Sequence, residues 1–170
     1  MNFLAHLYLS KHAEELMIGN FIADAVKGKN FEAYTPGVIQ GIKMHREIDA
    51  YTDTHQITKT SAARLMPRYR KYAGVIVDVF YDHFLAINWE QYHHESLPIF
   101  ADKVYQLMHQ NIGKLPPKSQ YLLPYMIKQN WLLNYSKIEG IQRTLTGMAN
   151  RTSFVSNMEF ATEELELYYQ

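Results

Sequence analysis

Cysteine is absent from the 170 residues. That excludes a disulfide frame, a thiolate nucleophile and a thiolate metal site, and it fits a reducing cytoplasm. An excess of one charge is missing too: 17 Lys and Arg stand against 17 Asp and Glu, for a formal net charge of +0. This balance argues against broad electrostatic binding to nucleic acid or membrane. No apolar run approaches a membrane span. The opening stretch MNFLAHLYLSKHAEEL lacks the basic start and long apolar centre of a signal peptide. There is no Gly-rich phosphate loop, no Gly-x-Ser-x-Gly elbow, no internal repeat and no linker.

What is present suits one globular domain over 1–170. Apolar residues make up 47% of the chain and charged residues 20%, enough for a core and too balanced for bulk disorder. Loops are expected at 27–30, 34–36 and 113–119, where glycine, proline and lysine gather. Thr35 followed by Pro36 suits a cap and a first helical residue, opening a helix through Tyr51. Pro67 could open another, running through Ala86. Its centre, AGVIVDVFYDHFLA, is rich in β-branched and aromatic residues, so a strand competes with the helix. The length of the apolar run and the four-residue recurrence of polar positions favour a helix buried nearly all round. Segments 98–111, 119–135, 137–150 and 153–168 also read as helical, and an all-α helical bundle follows.

Residues four apart on a helix share a face. That spacing joins Asn20 to Asp24 in GNFIAD. It joins His45 to Asp49 in HREIDAYTDTH, extending to Asp53 and, at the helix end, His55. It joins Asp78 to Asp82 in DVFYDH, with His83 alongside. Two carboxylates stacked on a buried helix repel each other and lose hydration, so either a proton or a cation is needed. Oxygen and imidazole donors suit Mn, Fe, Mg or Zn without choosing among them. Internal arginine or tyrosine partners are the bland alternative. Glu47 falls on a different side and should face solvent. His6, in an apolar stretch, reads as a satisfied core histidine, and His93, His94 and His109 as exposed ones. The basic run RLMPRYRKY holds Arg64, Arg68, Arg70 and Lys71, either a solvated face or a dock for an acidic partner. Arg143 and Arg151 could hold a phosphate or neutralise a buried acid.

Five segments carry a resemblance. MNFLAHLYLS, GNFIAD at 19–24, GIKMHREIDAYTDTH at 41–55, DVFYDHFLAINW at 78–89 and GIQRTLTGMANRTSF at 140–154 resemble the acyl carrier protein phosphodiesterase family, in that family's order. The resemblance implies a helical fold distantly related to the HD-type phosphohydrolases and dependence on a divalent metal, typically manganese. It also implies hydrolysis of the phosphodiester between a carrier-protein serine and phosphopantetheine. Here the adjacent pair is Asp82-His83, the reverse of the His-Asp order of HD enzymes.

On this reading Asp24, His45, Asp49, Asp78 and Asp82 supply or support metal ligands, with Asp53 beside them. His83 or His55 protonates the leaving serine oxygen. Arg143 or Arg151 holds phosphoryl oxygens. Arg64, Arg68, Arg70 and Lys71 meet the acidic face of acyl carrier protein. A small phosphoester substrate and a non-catalytic helical binding module are the competing expectations.

Overall fold

The computed structural model describes residues 3–28 and 31–169. Lys29 and Asn30, in the expected loop at 27–30, lie outside the described residues. The described residues form helices and connecting turns, with no strand among them. In chain order they are α1 (Leu4–Leu9), α2 (Glu14–Ile22), α3 (Pro36–Thr54), α4 (Gln56–Tyr69), α5 (Ala73–Ile87), α6 (Trp89–Tyr92), α7 (Leu97–Gln110), α8 (Pro117–Lys128), α9 (Trp131–Asn134), α10 (Ile138–Ala149) and α11 (Thr162–Leu167). A short 3-10 turn, Ala23–Ala25, continues α2 and carries Asp24.

The start of α3 follows its sequence signal. Thr35 Oγ1 accepts from the Val38 N–H at 3.4 Å, and Pro36 occupies the first turn, where its missing N–H costs nothing. Thr35 also donates to Glu15 Oε1 at 2.8 Å, which ties the start of α3 to α2. The helix runs three residues beyond the expected end at Tyr51. His55 then closes α3 and opens α4, its Nδ1 accepting from the Ile57 N–H at 3.3 Å.

Pro67 does not open a helix as expected. It sits inside α4 near its C-terminus, where its missing N–H forfeits one helical hydrogen bond. The chain turns three residues later, at Arg70, whose φ of 50° is uncommon for a side chain with a Cβ. The segment expected to be helix or strand is the helix α5. Ile76, Val77, Val79 and Phe80 are buried in it, and it packs against α1, α4 and α10. The expected single helix over 119–135 is two, separated by Asn130 in the left-handed region, where asparagine is tolerated. The segment 153–168 is irregular up to a 3-10 turn at Met158–Phe160 and helical only in α11.

One core joins these elements. Leu4 and Leu7 of α1, Ile22 of α2, Ile42 of α3, Ile76 of α5, Phe100 and Met108 of α7, and Ile141 and Leu145 of α10 are all buried in it. α1 lies against both α2 and α5, and α2 lies against α3, so polar residues of α1, α2, α3 and α5 can converge. No described helix is long and apolar enough to cross a membrane.

Candidate metal centre

The convergence begins where α2 and α3 touch main chain to main chain. A Cβ added to Gly19 would lie 2.1 Å from the Val38 carbonyl oxygen, and one on Gly41 would lie 2.4 Å from that of Leu16. Only glycine permits this approach. It brings Asn20, one residue after Gly19, against His45, one turn after Gly41: Asn20 Oδ1 lies 2.9 Å from His45 Nδ1. The Asn20 amide nitrogen donates to the His6 carbonyl oxygen at 2.9 Å and to Ser10 Oγ at 3.1 Å. With the amide nitrogen so engaged, the amide oxygen faces His45, and the Nδ1 of His45 must carry a proton.

His45 Nε2 then points at two carboxylates, 3.5 Å from Asp24 Oδ1 and 3.3 Å from Asp49 Oδ2. Burial alone would lower the His45 pKa, but Asp24 and Asp49 outweigh it and push it up to about 9. His45 in turn holds Asp24 below its usual value. Burial opposes the same effect on Asp49, but His45 and His6 hold its carboxyl well below the usual carboxylate range. Arg46 steadies the segment after Asp24, donating to the carbonyl oxygens of Val26 at 2.9 Å and Gly28 at 2.8 Å.

The fourth participant, His6, is 2% exposed. Its ring stacks on that of His45, with centroids 3.9 Å apart. Its Nε2 lies 3.1 Å from Asp49 Oδ1 but out of line for a hydrogen bond, and neither ring nitrogen finds a hydrogen-bond partner among the described residues. A buried imidazole close to a carboxylate, without alignment toward it, is arranged as a ligand would be around a shared cation. One donor atom each from His6, His45 and Asp49 lies within 4.8 Å of the others. These two imidazoles and a carboxylate fit a divalent metal, with Asp24 as a further oxygen beside His45. His6 was expected to be an ordinary core histidine. Its ring meets His45 and Asp49, 39 and 43 residues away in sequence, so no local spacing pointed to it.

Asp24, His45, Asp49, Asp53 and Asp78 line one cavity of about 320 Å³, together with Lys71, Gly74 and Val75. Burial, with Asp53 and Asp49 adding to it, pushes the Asp78 carboxyl up to about 6. Among the described residues Lys71 is the one lysine or arginine of this lining, and its ammonium also lies 4.5 Å from the centre of the Phe154 ring.

Other expected site residues stand elsewhere. Asp82, expected to be a ligand beside Asp78, is fully buried and accepts from the main-chain N–H of Leu4 at 3.0 Å and of Ala5 at 2.9 Å. It caps the start of α1 through Leu4 and Ala5, two and one residues before His6, and does not line the cavity. His83, expected as a proton donor, is a core residue: Nδ1 lies 2.7 Å from the Tyr135 carbonyl oxygen and Nε2 lies 3.0 Å from the Tyr169 hydroxyl. Neither His83 nor His55, which caps α4, lines the cavity. Arg68, expected to meet a protein partner, is held by Glu163 at 2.6 Å and Glu164 at 2.8 Å. Arg64 lies over the Tyr168 ring. Arg70 is exposed. Arg143 and Arg151 share a different cavity, beside Phe3, Trp131 and Tyr135, and so stand apart from the acids they were expected to assist. Glu47 is exposed, as its helix position implies.

Known proteins match the chain along its whole length. The family model described as acyl carrier protein phosphodiesterase matches residues 1–170. An acyl carrier protein phosphodiesterase of Photorhabdus laumondii is 35% identical over 170 residues, covering 99% of this chain and 86% of the relative. That of Yersinia enterocolitica is 34% identical over 171 residues, covering 100% and 89%. That of an Enterobacter species is 35% identical over 170 residues, covering 99% and 88%. No solved structure gives a significant match. With the family model and these relatives agreeing from end to end, the chain belongs to the acyl carrier protein phosphodiesterase family.

Proposed function

We propose that the cavity is the active site of a divalent-metal-dependent phosphodiesterase, which releases phosphopantetheine from the serine of holo acyl carrier protein. The observation that carries the reading is the His6–His45–Asp49 group, its two imidazoles buried, within a chain that matches this family throughout. His6, His45 and Asp49 would hold the metal, with Asp24 assisting, and the imidazole and carboxylate donors suit manganese. Bound there, a divalent ion supplies Lewis acidity toward a phosphoryl oxygen and toward water.

The chain's own residues account for the rest. Asn20 fixes the His45 tautomer and so presents Nε2 to the cavity. Asp24 and Asp49 are held ionised, and His45, once its Nε2 is deprotonated, would join them as a ligand. Asp78, with its pKa raised to about 6, holds a proton long enough to deliver it to the leaving serine oxygen. Lys71 attracts the phosphoryl group into an otherwise acidic cavity. A carrier-protein substrate also implies a cytoplasmic setting.

The test is a mass measurement. Protein stripped of metal and reloaded with manganese is incubated with holo acyl carrier protein. The reading requires conversion to the apo form, and an unchanged mass with metal bound rules out this substrate.

A further inference from the structure

Away from the acidic cavity, two histidines expected to be independent surface groups meet a third. His12 Nε2 lies 2.9 Å from His93 Nε2, with ring centroids 4.9 Å apart. The His93 ring is held in place by the Trp89 indole stacked 5.0 Å away and by His94 stacked 4.8 Å away on an adjacent ring plane. His12 reaches this position through an unfavourable backbone: Lys11 and His12 are consecutive non-glycine residues with φ of 49° and 61°. Such conformations persist only where the surroundings enforce them, and they gather at functional sites. Glu95 adds a further irregularity. One of its oxygens is paired with Lys103, while Oε2 is buried without a hydrogen-bond partner among the described residues. His12, Glu14, His94 and Glu95 border a cavity of about 490 Å³.

We propose that His12 and His93 are ligands of a second metal site, for a transition ion of the nickel or copper(II) class. Two imidazole nitrogens on neighbouring positions of a square or octahedral ion, at about 2.0–2.1 Å and a right angle, stand about 2.9 Å apart, whereas tetrahedral zinc would need about 3.3 Å. The right-angle separation is the one found here. The ion takes a lone pair from each Nε2, so the His93 proton must reside on Nδ1. The main chain of Glu95 serves either tautomer: its N–H lies 3.1 Å from His93 Nδ1 and its carbonyl oxygen lies 3.2 Å from the same atom. His93 therefore shifts its proton from Nε2 to Nδ1 without changing charge, and Nδ1–H donates to the Glu95 carbonyl, the outer hydrogen bond that orients a ligating histidine. Imidazole donors favour nickel and copper over magnesium or calcium. The site shares no residue with the His6–His45–Asp49 group.

The experiment is calorimetric titration of the full chain with nickel chloride at pH 7.5. The proposal requires two equivalents for the unsubstituted chain. Only the His12–His93 equivalent should survive in His45→Ala. Adding His12→Asn, which keeps a residue tolerant of positive φ, or His93→Ala should weaken that remaining equivalent at least about tenfold. Adding His94→Ala should leave it within about twofold, because His94 is no ligand. In the otherwise unsubstituted chain, His12→Asn should reduce two equivalents to one, a reading that does not depend on His45→Ala folding. Nickel binding unaltered by both His12→Asn and His93→Ala overturns the proposal. So does a drop as large in His94→Ala, which would mark general surface chelation.

Discussion

Replacing Asp82 by alanine tests its assignment as the cap of α1. The substitution removes the acceptor of two main-chain N–H groups, at Leu4 and Ala5. A buried donor left without a partner costs about 1–3 kcal/mol. Leu4 is fully buried and Ala5 partly so, which puts the loss at about 2–4 kcal/mol. A pH signature accompanies it. Burial raises the Asp82 carboxyl from 3.8 to about 7, against the two hydrogen bonds that favour its charged form. The folded chain therefore binds more protons than the unfolded chain between pH 4 and pH 7. This contribution to stability is fully present below about pH 4 and is lost as pH rises through about 7; that shift is worth up to about 4 kcal/mol. Asp82→Asn keeps one acceptor and removes the titration. Urea unfolding followed by far-ultraviolet circular dichroism at pH 5 and pH 7 should show three things: a large loss in Asp82→Ala, a smaller one in Asp82→Asn, and a flatter pH dependence in both. Asp82→Ala within about 0.5 kcal/mol of the parent at pH 5, or an unchanged slope, would falsify the capping argument.

Four further outcomes follow from the site. Gly41→Ala should push α3 off α2 and destabilise the chain by about 3 kcal/mol or more, as overpacking against main chain does, visible as a lowered urea midpoint. Asn20→Leu should leave the chain folded but free the His45 tautomer, weakening manganese binding about 10–100-fold by calorimetry. Asp78→Asn should cut kcat about 10²–10⁴-fold and abolish the fall in rate above pH 6 expected of an acid that must be protonated; a retained alkaline limb would assign that proton elsewhere. Arg68→Ala should leave KM for acyl carrier protein unchanged, since Arg68 is occupied by Glu163 and Glu164, whereas Lys71→Ala should raise it; steady-state kinetics in low salt separates the two.

The sequence carries the site where a pattern is local. The spacing of His45 and Asp49 places both on one face of α3, and Thr35-Pro36 marks where that helix begins. It fails where a partner comes from far along the chain. Asp78 and Asp82 share a face of α5 and look alike in sequence, yet one borders the cavity and the other caps α1, because the donors to Asp82 belong to residues 4 and 5. His6 becomes a candidate ligand only when α1 is laid between α2 and α5. His83 sits next to Asp82 but faces Tyr135, since consecutive helical residues diverge by about 100°. The turn at Arg70 left no mark, because no glycine or asparagine stands there to announce a positive φ.

The contact of Gly19 with Gly41 sets a tolerance as well as a distance. Where side chains separate two helices, each exchange of a larger for a smaller residue moves them, and any site between them drifts. Here the spacer is main chain, whose dimensions no substitution elsewhere can alter. The gap between Asn20 and His45 is thus calibrated independently of what fills the core around Leu4, Ile42 and Ile76. Substitutions in that interior can change how firmly the protein stands, while the gap between Asn20 and His45 keeps its gauge.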